Sequence, residues 1–270
     1  MIEQKLLQYE CLAKELRLKV FDSIIKANKG HLGGTFSSIE ILVALFFSGV
    51  MNYSKLNYTD SRRDRFLIGK GHACLALYHI WNKLGILTDE ELGTYGQDGG
   101  LGGQLHIGIP GVEHNSGSLG HALGIAAGLA LAARLESTDS RFFVLLGDGE
   151  CEEGSIWESA SFIAKERLKS VVTIVDRNRL SVTSQINDEC SGSLEDKFKA
   201  FGLMPLIVDG HNIRELVNAL SFCRSYNIPV VIIADTVKGK GISFMENGIK
   251  WHHSVPTKEE ANLARKELIE

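Results

Sequence analysis

The chain has 270 residues, 44% hydrophobic and 23% charged, with a formal net charge of −4 at pH 7. This is enough chain for a substantial core, and the balance excludes disorder, a fibrous repeat and an electrostatic claim on nucleic acid or anionic membrane. Glycine is the outlier, with 28 residues against 4 prolines. That points away from a linker and towards backbone that must approach something closely.

From the N-terminus, apolar positions at helical spacing (Leu6, Leu12, Leu16, Val20, Ile24) predict a helix over 4–28. The loop KGHLGGTF follows at 29–36, and Ser37 with Glu40 has the form of a capping box opening IEILVALFF. A short strand is expected at 65–69, then KGHA and a helix to about Leu84, with Thr88 and Glu91 as a second capping-box pattern. Residues 95–121 carry three histidines and many glycines with no period. A loop of this length in a compact domain is usually functional or disordered. The small-residue stretch LGHALGIAAGLALAARL predicts a helix that lets a neighbour come close.

The second half alternates. Apolar strands at 142–147, 171–176, 205–210 and 229–237 are separated by helices at 155–167, near 194–201 and at 212–226, with a last helix at 257–269. Continuous apolar strands between helices predict an α/β fold: a doubly wound, mostly parallel sheet flanked by helices, in one domain over 1–270. No apolar run approaches the ~20 residues of a membrane span, and the N-terminus lacks a signal pattern. The cysteines (Cys11, Cys74, Cys151, Cys190 and Cys223) form no CxxC pair, so no disulfide framework or zinc knuckle is expected. A cytoplasmic location is expected.

The chemistry concentrates at strand ends. The strand at 142–147 runs into Gly147-Asp148-Gly149, and the next ends in Asp176-Arg177-Asn178. Ligands of open α/β sheets bind at the carboxyl ends of strands, so one crossover brings Asp148 and Asn178 to a ligand position. A carboxylate, an amide oxygen and a nearby carbonyl suit Mg²⁺ or Ca²⁺ and leave sites for phosphate oxygens. The helix starting near Gly154 adds N–H donors and a positive dipole end.

GDG followed about 30 residues later by Asn resembles the thiamine diphosphate fingerprint. KGHLGG, KGHA, QLHIGIPGVEHNSGSLGHALG, GDGECEEGSIWE, VDRNRLS and KGKGISFMEN…WHH are together similar to the diphosphate-binding half of transketolase, over nearly the whole chain. The resemblance implies thiamine diphosphate as cofactor, with the metal on Asp148, Asn178 and the Leu180 carbonyl. Gly147, Gly149 and the amide of Glu150 then face the diphosphate, and Gly117, Ser118 and Leu119 the aminopyrimidine. His31, His72, His106 and His252 match the histidines of the substrate channel, with His72 and His252 also near the cofactor. His252 is favoured over the adjacent His253. Imidazole suits proton shuttling because its ordinary pKa, ~6.5, lies near neutrality. Glu153 and Glu158 match glutamates that link paired active sites across a subunit interface. The Glu150 and Glu152 side chains read as solvated, Lys238 and Lys240 as a surface turn, though the resemblance implies a place near the substrate entrance, and His79, His114, His121 and His211 as solvated or structural.

The resemblance also implies an absence. The glutamate that activates the cofactor belongs to a pyrimidine-binding module, for which no room follows the WHH motif. The expectation is the N-terminal subunit of a split transketolase, moving a two-carbon ketol unit from a ketose (phosphate) to an aldose (phosphate). It would work in an α₂β₂ complex with a C-terminal subunit carrying that module. A specialised ketol transferase, a deoxyxylulose-phosphate-synthase-like chain and a non-catalytic cofactor-binding subunit remain alternatives. The EEG sequence and the intact histidines weigh against the last two.

Overall fold

The computed structural model describes residues 2–181, 185–186 and 192–269. Its strands β1 (Arg65–Ile68), β2 (Phe142–Gly147), β3 (Val171–Arg177), β4 (Met204–Asp209) and β5 (Val230–Asp235) form one sheet in the order β1-β2-β3-β5-β4. Every pairing is parallel. In chain order the helices are α1 (Ile2–Ala27), α2 (Leu32–Phe36), α3 (Ile39–Phe47), α4 (Cys74–Lys83), α5 (Asp89–Gly93) and α6 (His121–Leu135). They continue as α7 (Gly154–Lys165), α8 (Leu194–Ala200), α9 (Ile213–Ser225) and α10 (Lys258–Ile269). The expected elements are present, with ends shifted by a few residues.

The strands are unbroken apolar runs because helices cover both faces of the sheet. Phe143, Leu145, Val172, Ile174 and Ile232 point to the side packed by α1, α3, α4 and α9. Phe142, Val144, Leu146, Val175 and Ile233 point to the side packed by α6, α7 and α8. The two-residue period of a strand thus feeds two cores from one sheet. Helix α3 is apolar except at Glu40 and is buried on nearly every face.

One predicted cap is real and one is not. Thr88 accepts from the Glu91 amide and the Glu91 carboxylate accepts from the Thr88 amide. At α3 the N-cap is Ser38, without a side-chain cap. The hydroxyls of Ser37 and Ser38 reach the Gly34 carbonyl and Asp176 instead, while Glu40 is drawn to Arg17 at 2.6 Å. A buried carboxylate and a buried guanidinium outcompete a local cap. No helix among the described residues is long and apolar enough to cross a membrane. Cys190 lies outside the described residues. Cys74, Cys151 and Cys223 are buried, and burial raises all three thiols, Cys74 and Cys223 to about 12.

Candidate active site

The register of β2 and β3 pairs Gly147 with Asp176, and the Asp148 amide donates to the Asp176 carbonyl at 3.2 Å. The two strand ends therefore deliver Asp148, Asp176 and Asn178 to one place. A cavity of about 310 Å³ opens there. Asp148, Asn178 and Leu180 line it together with Gly147, Gly149, Leu119, His72 and His252. The sequence also nominated Glu150, which lines it too, as do Lys70 and Lys238.

Asp148 is buried and accepts from the amides of Gly149 (2.8 Å) and Arg179 (2.5 Å). Burial, then the charge of nearby Asp176, pushes its carboxyl up to about 6. Asn178 Oδ1 accepts from the Leu180 amide at 3.2 Å, and Leu180 offers its carbonyl to Lys238 Nζ at 3.3 Å. These are hard oxygens of three kinds, fitted to a small divalent cation. No group of three His, Cys, Asp or Glu side chains among the described residues suits a metal. A cation here would therefore depend on amide and backbone oxygens beside Asp148. A Cβ built on Gly147 or Gly149 meets nothing nearer than 3.8 Å. Packing within the protein does not demand glycine there, and the missing side chains leave a cradle that a bulky anion fits.

Three further residues frame it, of which the sequence placed only Lys238 near the site, as the alternative to a surface turn. Asp176, fully buried, receives Lys70 Nζ, the hydroxyls of Ser37 (2.7 Å) and Ser38 (2.9 Å), and that of Thr236. Burial alone would raise its carboxyl, but the Lys70 ammonium and the hydroxyl donors outweigh burial and hold it below the usual range. Lys70 Nζ also donates to the Gly34 carbonyl at 2.8 Å. Lys238, expected on a surface turn, is 2% exposed and donates to the Ser181 carbonyl at 3.0 Å. Burial, then the charge of Lys70, brings its amine down to about 8.

Glu150 corrects a second expectation. It is 2% exposed, not solvated, and its carboxylate accepts from the amides of Gly120 (2.8 Å) and Gly147 (3.1 Å). Burial raises it to about 7. A Cβ on Gly69 would overlap this carboxylate, so that glycine makes room for it. Gly120 itself has φ +82°, the left-handed conformation glycine accepts freely. It turns the long loop into α6 with its N–H aimed at Glu150. Glu152 is exposed as expected.

The structure brings three of the four nominated histidines together. The rings of His31, His72 and His252 lie 5.3 to 5.5 Å apart, and exposed His253 joins them, 4.6 Å from His31. Burial, then neighbouring positive charge, lowers His31 and His252 to about 4 and His72 well below its ordinary value. The rings are therefore neutral at pH 7, each with one donor and one acceptor nitrogen, rather than half protonated. Nδ1 of His31 and of His252 are buried without a partner. His106 stands apart. It is exposed and makes no ring contact with the other three. Gly117, Ser118 and Leu119 are exposed; Leu119 lines the cavity, Gly117 and Ser118 do not, and Ser118 is bonded to His121 at 3.2 Å. Glu153 precedes α7 and Glu158 lies on it. Both are exposed, and neither forms an ion pair among the described residues. His79, His114 and His211 are held in packing or hydrogen bonds, as structural histidines are.

The model of the family described as transketolase, thiamine diphosphate binding domain, matches residues 9–269. The chain is 36% identical over 264 residues to an apulose-4-phosphate transketolase subunit of Phocaeicola vulgatus, covering 97% of this chain and 94% of that one. It is 34% identical to a 6-deoxy-6-sulfo-D-fructose transketolase subunit of a Clostridium species, covering 99% and 98%. The transketolase of Campylobacter jejuni superposes with a TM-score of 0.89 at 28% identity. That match covers 98% of this chain but 43% of the solved one, and the chain spans 40% of human transketolase at 34% identity.

Proposed function

The chain belongs to the transketolase family through its thiamine diphosphate-binding domain, and on that premise we propose that it is the N-terminal subunit of a two-chain transketolase. It transfers a two-carbon ketol unit from a ketose or ketose phosphate to an aldose or aldose phosphate. The observation that carries the reading is the convergence of Asp148, Asn178 and Leu180 on one glycine-walled cavity, with His72 and His252 in the same wall. The end-to-end match to proteins named as transketolase subunits supports a partner. The partner is a C-terminal subunit with the pyrimidine module, in an α₂β₂ assembly in the cytoplasm.

In this reading Mg²⁺ (or Ca²⁺) sits on Asp148, Asn178 and the Leu180 carbonyl. Gly147 and Gly149 wall the diphosphate, the Glu150 amide donates to it, and Gly117, Ser118 and Leu119 border the aminopyrimidine. When bound, thiamine diphosphate supplies the nucleophilic carbon and the electron sink of the reaction. The neutral rings of His31, His72 and His252 give and receive hydrogen bonds from sugar hydroxyls without adding charge. The unpartnered Nδ1 atoms of His31 and His252 are available for that. His106 joins from its exposed loop when substrate and partner close over it. Glu153 and Glu158, exposed and without ion pairs among the described residues, face the subunit interface.

The test is reconstitution. The chain is co-expressed with candidate pyrimidine-module subunits and ketol transfer is assayed with thiamine diphosphate and Mg²⁺. Activity is expected only from the pair, and turnover by this chain alone would overturn the two-chain reading. Unchanged cofactor binding in Asp148→Ala would overturn the cofactor site.

A further inference from the structure

The opposite end of the sheet carries a second cavity, of about 690 Å³. It lies where the chain enters β2, β3 and β5, a six-residue strand or about 20 Å from the first site. Its wall holds Arg134, Arg141, Arg167, Lys169 and Arg224 against one carboxylate, Asp139. Among the described residues only Arg134 pairs with a carboxylate, that of Glu166 at 2.9 Å. Lys169 reaches an amide oxygen of Asn227, and Arg141 Nη2 the Arg224 carbonyl. Cations gathered together repel one another, and among the described residues the other four form no ion pair, with Asp139 in the wall and Asp64 near Arg141 as the carboxylates that offset them.

The floor shows a second, independent sign of a ligand. Ser140 is 3% exposed and its hydroxyl has no partner. Arg141 Nη1 is likewise buried and unpartnered. Burial, then the charge of Arg224, disfavours the Arg141 cation. Buried donors without acceptors are costly, and most find a partner in a native protein. Ser137, Thr138, Ser170 and Asn227 add hydroxyl and amide groups to the rim.

We propose that this cavity binds a small phosphorylated metabolite carrying two or more phosphate groups, at a site separate from the thiamine diphosphate cavity. Arg141, Arg167 and Arg224 supply forked donors that match phosphate oxygens. Ser140 Oγ and Arg141 Nη1 complete the contact from the floor. The volume takes a nucleoside polyphosphate or an open-chain polyphosphate, and the shared chemistry is the run of phosphate oxyanions.

The test uses the full chain saturated with thiamine diphosphate and Mg²⁺, so that the first cavity is filled, and calorimetry with three probes: inorganic phosphate, tripolyphosphate and adenosine diphosphate. Tripolyphosphate is expected to bind one to one. A tighter adenosine diphosphate arm would assign a nucleotide, and a tighter tripolyphosphate arm a simple polyphosphate. The exposed pair Arg167→Gln with Arg224→Gln should weaken binding at least tenfold. Ser140→Ala, which removes an unbonded hydroxyl, should weaken it severalfold without lowering the melting temperature. Asp148→Ala, read with the first cavity empty, should leave tripolyphosphate binding at this site unchanged. Absence of saturable binding, equal affinity in the double variant, or loss of binding in Asp148→Ala would overturn the proposal.

Discussion

The Lys70 ammonium lies against the Asp176 carboxylate with 2% and 0% of the two side chains exposed. It joins the turn after β1 to the end of β3, two residues before Asn178. Asp176 in turn orders the start of α3 through Ser37 and Ser38 and the end of β5 through Thr236. One ion pair thus ties together four segments that wall the cofactor cavity.

Lys70→Met leaves that carboxylate buried with hydroxyl donors alone. Removing one partner of a buried pair costs roughly 3–5 kcal/mol, because the survivor keeps its desolvation cost. Urea unfolding of the full chain should show a loss of that size. A loss below about 1 kcal/mol would mean that Lys70 is not a structural partner of Asp176.

Gly34 packs so closely that an added Cβ would sit 2.9 Å from His72 Nε2 and 3.7 Å from Lys70 Nζ. Gly34→Ala should displace the imidazole while leaving the short helix α2 intact, since alanine suits a helix better than glycine. In the reconstituted enzyme the expected result is at least a tenfold drop in kcat/KM with a melting temperature within a few degrees of wild type. Unaltered turnover would remove His72 from the reacting site.

The residues that the sequence revealed and those that it hid differ in range. Asp148 and Asn178 were legible because each follows an apolar strand, and parallel pairing alone sets such ends side by side. His31, His72 and His252 were legible through glycine-bracketed motifs rather than through any period. Glu150 was misjudged because a carboxylate in a first turn is usually solvated. It is held in the interior by two amides, one of them at Gly120, thirty residues away. Lys70 and Lys238 sit among glycines that suggest turns, and their burial depends on Asp176 and on the Leu180 and Ser181 carbonyls, contacts with no local signature. A lysine directly after an apolar strand was the one clue to Lys70. The capping pattern at Ser37 failed for the same reason, since Asp176 competes for the hydroxyl from 139 residues away.

Asp148 gives a pH dependence with a definite sign. Its carboxyl is raised from 3.8 to about 6, by burial and then by Asp176. A metal needs the ionised form, so protons compete with it below about pH 6 and not above about pH 7. Metal-dependent binding of thiamine diphosphate, followed by calorimetry, should be flat from about pH 7 to 8. It should then fall roughly tenfold per pH unit once the pH is below about 6. A flat profile down to about pH 5 would show that Asp148 carries no metal.

His211 reaches the cofactor cavity without lining it. Its Nε2 accepts the Val237 amide proton at 2.8 Å, which places its own proton on Nδ1, facing Glu40 Oε2 at 3.1 Å. Glu40 is already clamped by Arg17 at 2.6 and 2.7 Å, so the imidazole is anchored on α3 and fixes the backbone one residue before Lys238. Burial would raise the Glu40 carboxyl, but the charge of Arg17 and the bond from His211 outweigh it and keep it ionised. Lys238 then holds the Leu180 and Ser181 carbonyls in the cavity wall. His211→Leu strips the acceptor from the Val237 amide, and His211→Gln retains one. Because groups that orient ligand-bearing residues commonly govern affinity by about 10–100-fold, the leucine variant is expected to bind thiamine diphosphate and Mg²⁺ about tenfold more weakly. The glutamine variant should recover most of the loss. Equal affinity in both variants would mean that the turn is held by its backbone bonds alone, from the Gly239 amide to Gly33 at 3.1 Å and from the Asn247 amide to Lys238 at 2.9 Å. Recovery by glutamine distinguishes a hydrogen bond that positions Lys238 from simple packing, because leucine fills the space about as well and cannot accept the proton.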